Sequence, residues 1–378
     1  MKQYDIAAFI WPSYTGDEPR TRIFWPEGIG EWQTVRDAKP KFEGHLWPRR
    51  PLWGYCNEAD PDVMKMQIDA AADHGVNVFI YDWYWYDNRP FLENCLNDGY
   101  LKAPNRDRVK FYLMWANHDA TSLWDKRNAE ADTVVWSGRQ NKAQFDEITD
   151  RLIEKYFKCP SYYKINGKPV FMIYDPCNLI AGLGGEENAR AALDEFREKC
   201  VKAGFPGLEL QLAHRGEKML NVSGVDGNAG TRTSAELIDS LGFDSTTNYQ
   251  YVHFIKVGQR DYRDISDEAA RHWEEYAEKF PIPYYPHVSM GWDNNARYNT
   301  LQPRVVKNNT PAAVEDALRA AKKYVDTHDL PAPLITINSW NEWTEGSYLE
   351  PDDLYGYGYL DAVKNVFLKE DPVPHYEC

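Results

Sequence analysis

The chain has 378 residues and a formal charge of −15, long enough for one large domain or two ordinary ones with full cores. The acid excess excludes a nucleic-acid partner, which demands clustered Lys and Arg; stretches such as residues 20–22 and Arg49-Arg50 are too short to supply them. No apolar run approaches the roughly 20 residues of a membrane helix, so a soluble chain without membrane insertion is expected.

The start, Met1-Lys2-Gln3-Tyr4-Asp5, carries no apolar signal core. It suggests a cytoplasmic protein, or an exported one if the natural chain begins earlier. Six cysteines (Cys56, Cys95, Cys159, Cys177, Cys200 and Cys378) are scattered without a CxxC pair and read as mostly free thiols. The unusual counts are 14 Trp and 25 Tyr. Rings in that supply must pack a core or line a site.

Short apolar, β-rich runs recur at residues 4–10, 76–81, 110–115, 169–174, 208–213, 243–248, 284–290 and 334–340. Each is continuous enough to be a parallel strand buried on both faces. Helical spacing falls between most of them. Residues 60–74 carry Val63, Met66, Ala70 and Ala71, with Pro61 in the first turn. Residues 142–157 carry Phe145, Ile148, Leu152, Ile153 and Tyr156. Residues 187–203 carry Ala191, Leu193, Phe196 and Cys200, then stop at Gly204. Residues 266–280 open on an imperfect capping box at Ser266. Residues 310–327 carry Ala317, Leu318, Ala321 and Val325, and a last helix starts near Tyr359.

Eight strand–helix units predict an α/β chain folded as a single (β/α)8 TIM barrel across residues 1–378. A barrel needs about 250 residues, so the surplus is assigned to enlarged βα loops. The largest, at about residues 11–57, is expected to lie over the catalytic face. A doubly wound open sheet is the competing architecture. No GxGxxG or GxxxxGK[ST] follows any strand, which removes its main support.

Barrel chemistry sits at the C-terminal strand ends, and polar and aromatic residues pile up there. In chain order these are Trp11; Asp82, Trp83 and Tyr84; Trp115, Asn117 and His118; Tyr174 and Asp175; His214; Asn248 and Tyr249; Trp292 and Asp293; then Trp340, Asn341, Glu342, Trp343 and Glu345. The opposite ends offer only Gly75, Arg108, Gly167 and Gly207. Rings give apolar faces to sugar C–H groups, and the polar residues bond hydroxyls. A phosphorylated metabolite would want glycine-rich loops and basic residues. The plainer reading, aromatics that merely cap the core, fits one strand end better than eight.

Glu342 and Glu345 stand three apart just past the last strand. If the chain turns there as a helix start does, both carboxyls face one cavity and their pKa values separate into an acid and a base. Glycoside cleavage needs that division. The competing reading is a pair of helix-capping carboxylates. Asp175 with Asp293 forms a second candidate acid pair, and Glu31 and Glu350 are further carboxylates that could reach the site. A metal site is not expected: His118 and His214 are isolated and no HExxH occurs. No cofactor motif is found, nor a Gly-x-Ser-x-Gly elbow. Asp352-Asp353 reads as a helix-start cap.

The segment Asn338-Ser339-Trp340-Asn341-Glu342-Trp343-Thr344-Glu345-Gly346-Ser347-Tyr348-Leu349-Glu350-Pro351 resembles the catalytic signature of family-99-like glycoside hydrolases. These are the endo-α-mannosidases and endo-α-mannanases, with a sister group from bacterial surface-polysaccharide loci sometimes labelled glycosyltransferase. Ala7-Ala8-Phe9, Gly28-Ile29-Gly30-Glu31-Trp32, Asp82-Trp83-Tyr84-Trp85 and Tyr174-Asp175 extend the likeness along nearly the whole chain.

The resemblance implies a (β/α)8 barrel and a retaining mechanism without a covalent enzyme intermediate. Glu342 would be the base on the sugar's own 2-hydroxyl, and Glu345 the acid on the departing oxygen. Asn341 would help position the 2-hydroxyl, and Trp83, Tyr174 and Tyr249 would face the sugar. The implied partner is an oligosaccharide or polysaccharide; oligomeric state is left open. The sister group's usual Leu-Pro-Gln-Phe-His after the first strand is replaced by Ile10-Trp11-Pro12-Ser13-Tyr14, so mannose-specific contacts do not carry over. The alternatives are a glycosyltransferase in polysaccharide assembly and a non-catalytic carbohydrate-binding barrel.

Overall fold

In the computed structural model, which describes residues 3–16, 18–223 and 229–369, the eight expected runs form one parallel sheet. They are β1 (Asp5–Ile10), β2 (Val78–Tyr86), β3 (Lys110–Trp115), β4 (Lys168–Ile173), β5 (Glu209–His214), β6 (Ser245–Asn248), β7 (His287–Ser289) and β8 (Leu334–Asn338). Their order is β6-β5-β4-β3-β2-β1-β8-β7. The ends meet where Thr246 bridges Tyr284, just ahead of β7. There the Thr246 amide donates to the Pro283 carbonyl at 3.0 Å and the Tyr285 amide to that of Thr246 at 2.8 Å. The sheet is therefore a (β/α)8 barrel.

Both faces of its strands are covered. All nine residues of β2 and all six of β5 are buried, which is why β2 is apolar or aromatic at every position but Asp82, while β5 buries Glu209, Gln211 and His214 among its apolar residues. Polar side chains inside the barrel satisfy one another. Thr247 and Thr336 share a hydroxyl bond of 2.7 Å, His287 bridges Thr336 and Ser289 at 2.9 Å each, and Tyr112 donates to Gln211 at 3.0 Å.

The outer layer consists of α1 (Pro61–Asp73), α2 (Lys142–Arg151), α3 (Pro176–Leu183), α4 (Glu186–Lys202), α5 (Ser234–Leu241), α6 (Tyr262–Lys279), α7 (Pro311–Thr327) and α8 (Gly358–Phe367). Most begin on a side-chain cap. Asp60, Asn141, Asp175, Thr233, Asp261 and Thr310 each accept from a first-turn amide, satisfying donors the helix leaves open.

Three details depart from the sequence expectation. First, α6 starts at Tyr262, because Asp261 accepts from the Arg263 amide at 3.0 Å; Ser266 lies inside the helix and donates to the Arg263 carbonyl. Second, α3 and α5 are too short to give a clear period. Third, β2 runs on to Tyr86, because Arg89–Phe91 folds back antiparallel on Tyr84–Tyr86.

The long segment after β1 packs over the β8 turn. Tyr14 stacks on Trp32 at 4.0 Å, and Trp32 and Trp47 meet Trp343 at 6.0 and 6.5 Å. The five described cysteines are free; Cys378 lies outside the described residues. No described helix is long and apolar enough to cross a membrane.

Candidate active site

The chain after β8 forms a tight hairpin rather than the start of a helix. Asn341 and Glu342 pair with Tyr348 and Ser347, and one 3-10 turn, Trp343–Glu345, joins them. In such a turn residues three apart eclipse, so Glu342 and Glu345 project together without a following helix. The turn closes at Gly346 with φ +62°, where a Cβ would come within 3.1 Å of Asp293; only glycine fits both conditions. Serines lock the base. Ser339 accepts from the Glu342 amide and donates to the Ser347 carbonyl, each at 2.7 Å. The Asp293 amide holds the Glu345 carbonyl at 2.6 Å.

Arg297, from the loop after β7, is buried among three glutamates. Its Nε donates to Glu31 Oε1 at 2.9 Å, Nη1 to Glu345 Oε1 at 2.6 Å and Nη2 to Glu342 Oε1 at 3.2 Å. Glu31 also accepts from the Trp11 indole. The other Glu342 oxygen accepts from Tyr249 at 2.8 Å, and the same phenol lies 2.8 Å from Asp82 Oδ2.

A phenol has one proton, so it serves both carboxyls only if one of them is itself protonated. Asp82 is that one: burial, and next the Glu342 charge, hold its pKa well above the usual carboxylate range. Tyr249 can then take a proton bond from Asp82 and give its own to ionised Glu342.

The two glutamates of the turn are held apart electrically. Burial raises both, but on Glu342 the Arg297 charge and the Tyr249 hydroxyl pull back. Glu345 is pushed up to about 8, by burial first and the Glu342 charge second. It is also the more open, at 13 % side-chain exposure against 5 % for Glu342. The arrangement offers a protonated acid facing the cavity and an ionised base behind it.

These groups open into a cavity of about 370 Å³. Of the sequence candidates it gathers Trp11, Asp82, Tyr84, His118, Tyr174, Tyr249, Trp292, Glu342 and Glu345. Rings make most of the wall: Tyr84 meets Trp11 at 5.6 Å and His118 at 5.7 Å, and Tyr174 meets Tyr249 at 5.4 Å. Among the described residues no three His, Cys, Asp or Glu side chains are grouped as metal ligands.

The remaining candidates do not line this cavity, chiefly because side chains alternate along a strand. Trp83, between Asp82 and Tyr84, points outward and donates to Glu93 at 2.8 Å. Trp115 packs on Phe145 of α2. Trp340 donates to Gln67 of α1 at 3.1 Å. Trp343 stacks on Tyr348 at 3.8 Å and donates to Glu350 at 2.6 Å; Glu350 also accepts from Gln67. Asn341 bonds the Trp11 backbone and Glu58, so it braces the turn and cannot position a sugar hydroxyl.

Asn117 ties the β3 loop to the Asp175 backbone at 2.7 Å. His214 lies against Tyr276 of α6, and Asn248 joins it to Tyr284. The rival acid pair fails for the same kind of reason. Asp175 caps α3 through the Asn178 amide, and Asp293 holds His45 at 2.6 Å.

Sequence reasoning missed Arg297, Trp124, His253, Tyr298 and Arg304, all on the cavity wall; Arg215 and Asn294, also there, stand in the strand-end clusters but were not singled out as candidates. The one available signal for Arg297 was the surplus of acids at the barrel mouth, which demands a buried cation.

Comparison with known proteins agrees with this architecture. Two solved structures share the fold. The GH99 endo-α-mannosidase from Bacteroides thetaiotaomicron superposes with a TM-score of 0.56 at 16% identity, covering 96% of this chain and 95% of its own. A glycoside hydrolase-like protein gives 0.61 at 14% identity, covering 97% and 94%. The uncharacterized protein WxcX of two Xanthomonas campestris pv. campestris strains is 27% identical over 385 residues. That alignment covers 99% of this chain and 51% of WxcX, so the chain spans about half the length of the curated relatives it matches. The model of the family described as glycosyltransferase WbsX matches residues 6–363, and the chain, with its family-99-like glycoside hydrolase fold, belongs to that family.

Proposed function

We propose that the protein hydrolyses glycosidic bonds in an oligosaccharide or polysaccharide, with retention, through the substrate's own 2-hydroxyl. The observation that carries this is one turn presenting two largely buried glutamates, both bonded to Arg297, to a ring-lined cavity. In the first step Glu342 takes the 2-hydroxyl proton, O2 attacks C1, the C1–leaving-oxygen bond breaks, and Glu345 gives its proton to that oxygen. Water then loses a proton to Glu345 and attacks C1, opening the 1,2-anhydro ring as Glu342 returns its proton to O2. Two successive inversions at C1 give net retention.

The test is a screen of aryl glycosides and oligosaccharides, with NMR of the first-formed anomer and a 2-deoxy analogue of any substrate found. Retention with no turnover of the 2-deoxy analogue is expected. Efficient cleavage of that analogue removes the 2-hydroxyl route. A transferase reading draws on the family's description. It differs in the donor, whose leaving group would be a phosphate or diphosphate, and in the second step, where an acceptor sugar hydroxyl replaces water; product analysis with and without acceptors separates the two.

A further inference from the structure

We propose that the cavity contains a subsite for a sugar carboxylate, built on Arg215 and Lys218 beside Tyr174, so that the substrate is an acidic glycan. This rests on the glycosidase reading for the cavity's purpose but not for the binding it claims.

Arg215 follows β5 and lies over the Tyr174 ring, with its Cζ 4.2 Å from the ring centroid. Stacking fixes the guanidinium plane and leaves its edge free for hydrogen bonds. Its Nε is buried and has no hydrogen-bond partner. The one carboxylate in ion-pair range among the described residues is Asp175, and that contact is loose, 3.7 Å from Nη2. Asp175 is already committed to capping α3. Lys218, three residues on, lines a small adjoining cavity of about 120 Å³ with Arg215, and no described carboxylate pairs with it.

The contrast with Arg297 decides what this means. Arg297 is fully spent on three glutamates. Arg215 and Lys218 are two neighbouring cations left without a close anion in a chain of net charge −15. Burying a donor without a partner is costly, and a bound anion removes that cost. The position fits a substituent on the sugar. Tyr174 touches Tyr249, whose hydroxyl bonds Glu342, so the free cation edge lies one ring away from the base. His118 and His253 line the same corner, and burial lowers the pKa of both imidazoles; His118 spends its Nδ1 proton on the Asp119 carbonyl, whereas His253 Nδ1 has no hydrogen-bond partner and can donate to a ligand oxygen.

A carboxylate suits this better than a diphosphate. The guanidinium fork matches a carboxylate. Phosphates favour a helix N-terminus with open amides, and the nearby one, that of α3, is already filled by Asp175.

The experiment is calorimetric binding to the full chain. Probes are glucuronate-, galacturonate- and mannuronate-containing oligosaccharides, each paired with its carboxyl-reduced form, alongside UDP and inorganic pyrophosphate. At least one acidic member is expected to bind about tenfold more tightly than its reduced partner. Arg215→Gln should erase that preference, leaving each acidic probe no tighter than its reduced partner, and Arg215→Lys should restore part of it. Equal affinity within every pair, no binding by any acidic member, or a preference that survives Arg215→Gln overturns the proposal. So does tighter binding of UDP or pyrophosphate that Arg215→Gln abolishes, since the cations would then serve a phosphorylated donor. Because no turnover is needed, a chain that keeps the carboxylate preference but cleaves nothing sinks only the hydrolase reading.

Discussion

Arg297 Nη1 lies 2.6 Å from Glu345 Oε1, yet Glu345 keeps its proton to about pH 8. One guanidinium cannot neutralise Glu31, Glu342 and Glu345 together, and the deficit falls on the carboxyl nearest the Glu342 charge. Arg297→Gln removes the cation whose charge lowers both glutamates of the turn. Both limbs of the pH–rate profile should move to higher pH, and kcat/KM should fall by about 100-fold. Stripping the cation from buried carboxylates costs about 3–5 kcal/mol, so Tm should drop as well. Arg297→Lys keeps a charge without the fork and should recover most of the Tm but little of the rate.

Tyr249 and Asp82 act as a unit that keeps Glu342 ionised. Tyr249→Phe removes the proton bond to Glu342, so its pKa should rise and the acid limb of kcat/KM shift upward, with a rate loss of about tenfold or more. Asp82→Asn should behave differently. If Asp82 is already neutral, an amide of the same shape keeps a donor toward Tyr249, and the acid limb should stay in place. An acid limb that moves as far in Asp82→Asn as in Tyr249→Phe would assign the ionised state to Asp82 instead.

The barrel was legible because parallel strands buried on both faces are largely apolar, as most of the eight runs are; β6, Ser245–Asn248, is polar throughout and was marked only by its place in the strand–helix alternation. The glutamate turn was legible through the resemblance of residues 338–351 to the family-99-like signature, since Glu-x-x-Glu spacing by itself is common on helices. What the sequence hid was parity and cross-chain pairing. Asp82-Trp83-Tyr84-Trp85 reads as a uniform cluster, but because β2 extends through it, Asp82 and Tyr84 enter the cavity while Trp83 joins Glu93 outside. Asn341 and Trp343 sit inside the signature and nevertheless brace the turn from behind, through Glu58 and Glu350. Arg297 comes from a loop distant in sequence, so nothing local marks it, whereas Arg215 directly follows His214 at a strand end without any sign of the ring it covers.

Behind the turn, Gln67 Nε2 bridges Glu58 at 3.2 Å and Glu350 at 2.8 Å. Burial pushes Glu58 up to about 7 and Glu350 well above its ordinary value. A carboxyl whose folded pKa lies above its unfolded one binds more protons when folded, so stability is full below the unfolded value and is lost as pH rises through the folded one. The melting temperature should therefore fall between pH 5 and pH 8. Glu58→Gln mimics the protonated form and should flatten that fall. A Tm that rises across the same interval would mean that both carboxyls are ionised in the fold.

The division of labour in the turn predicts the shape of the rate profile on a substrate identified by the screen. Activity should climb as Glu342 ionises and decline as Glu345 loses its proton near pH 8, because kcat/KM reports the free enzyme's acid and base. Glu345→Gln should cut turnover of a natural glycoside by about 1000-fold while leaving binding nearly intact. On an aryl glycoside whose leaving group needs no proton, first-step cleavage by the same variant should persist and lose its alkaline limb, since the group that titrated there is gone. Glu342→Gln should abolish cleavage of both substrates, because neither can form the new bond to C1 without a base for the 2-hydroxyl. Equal losses on the two substrates in both variants would leave the turn without separate acid and base.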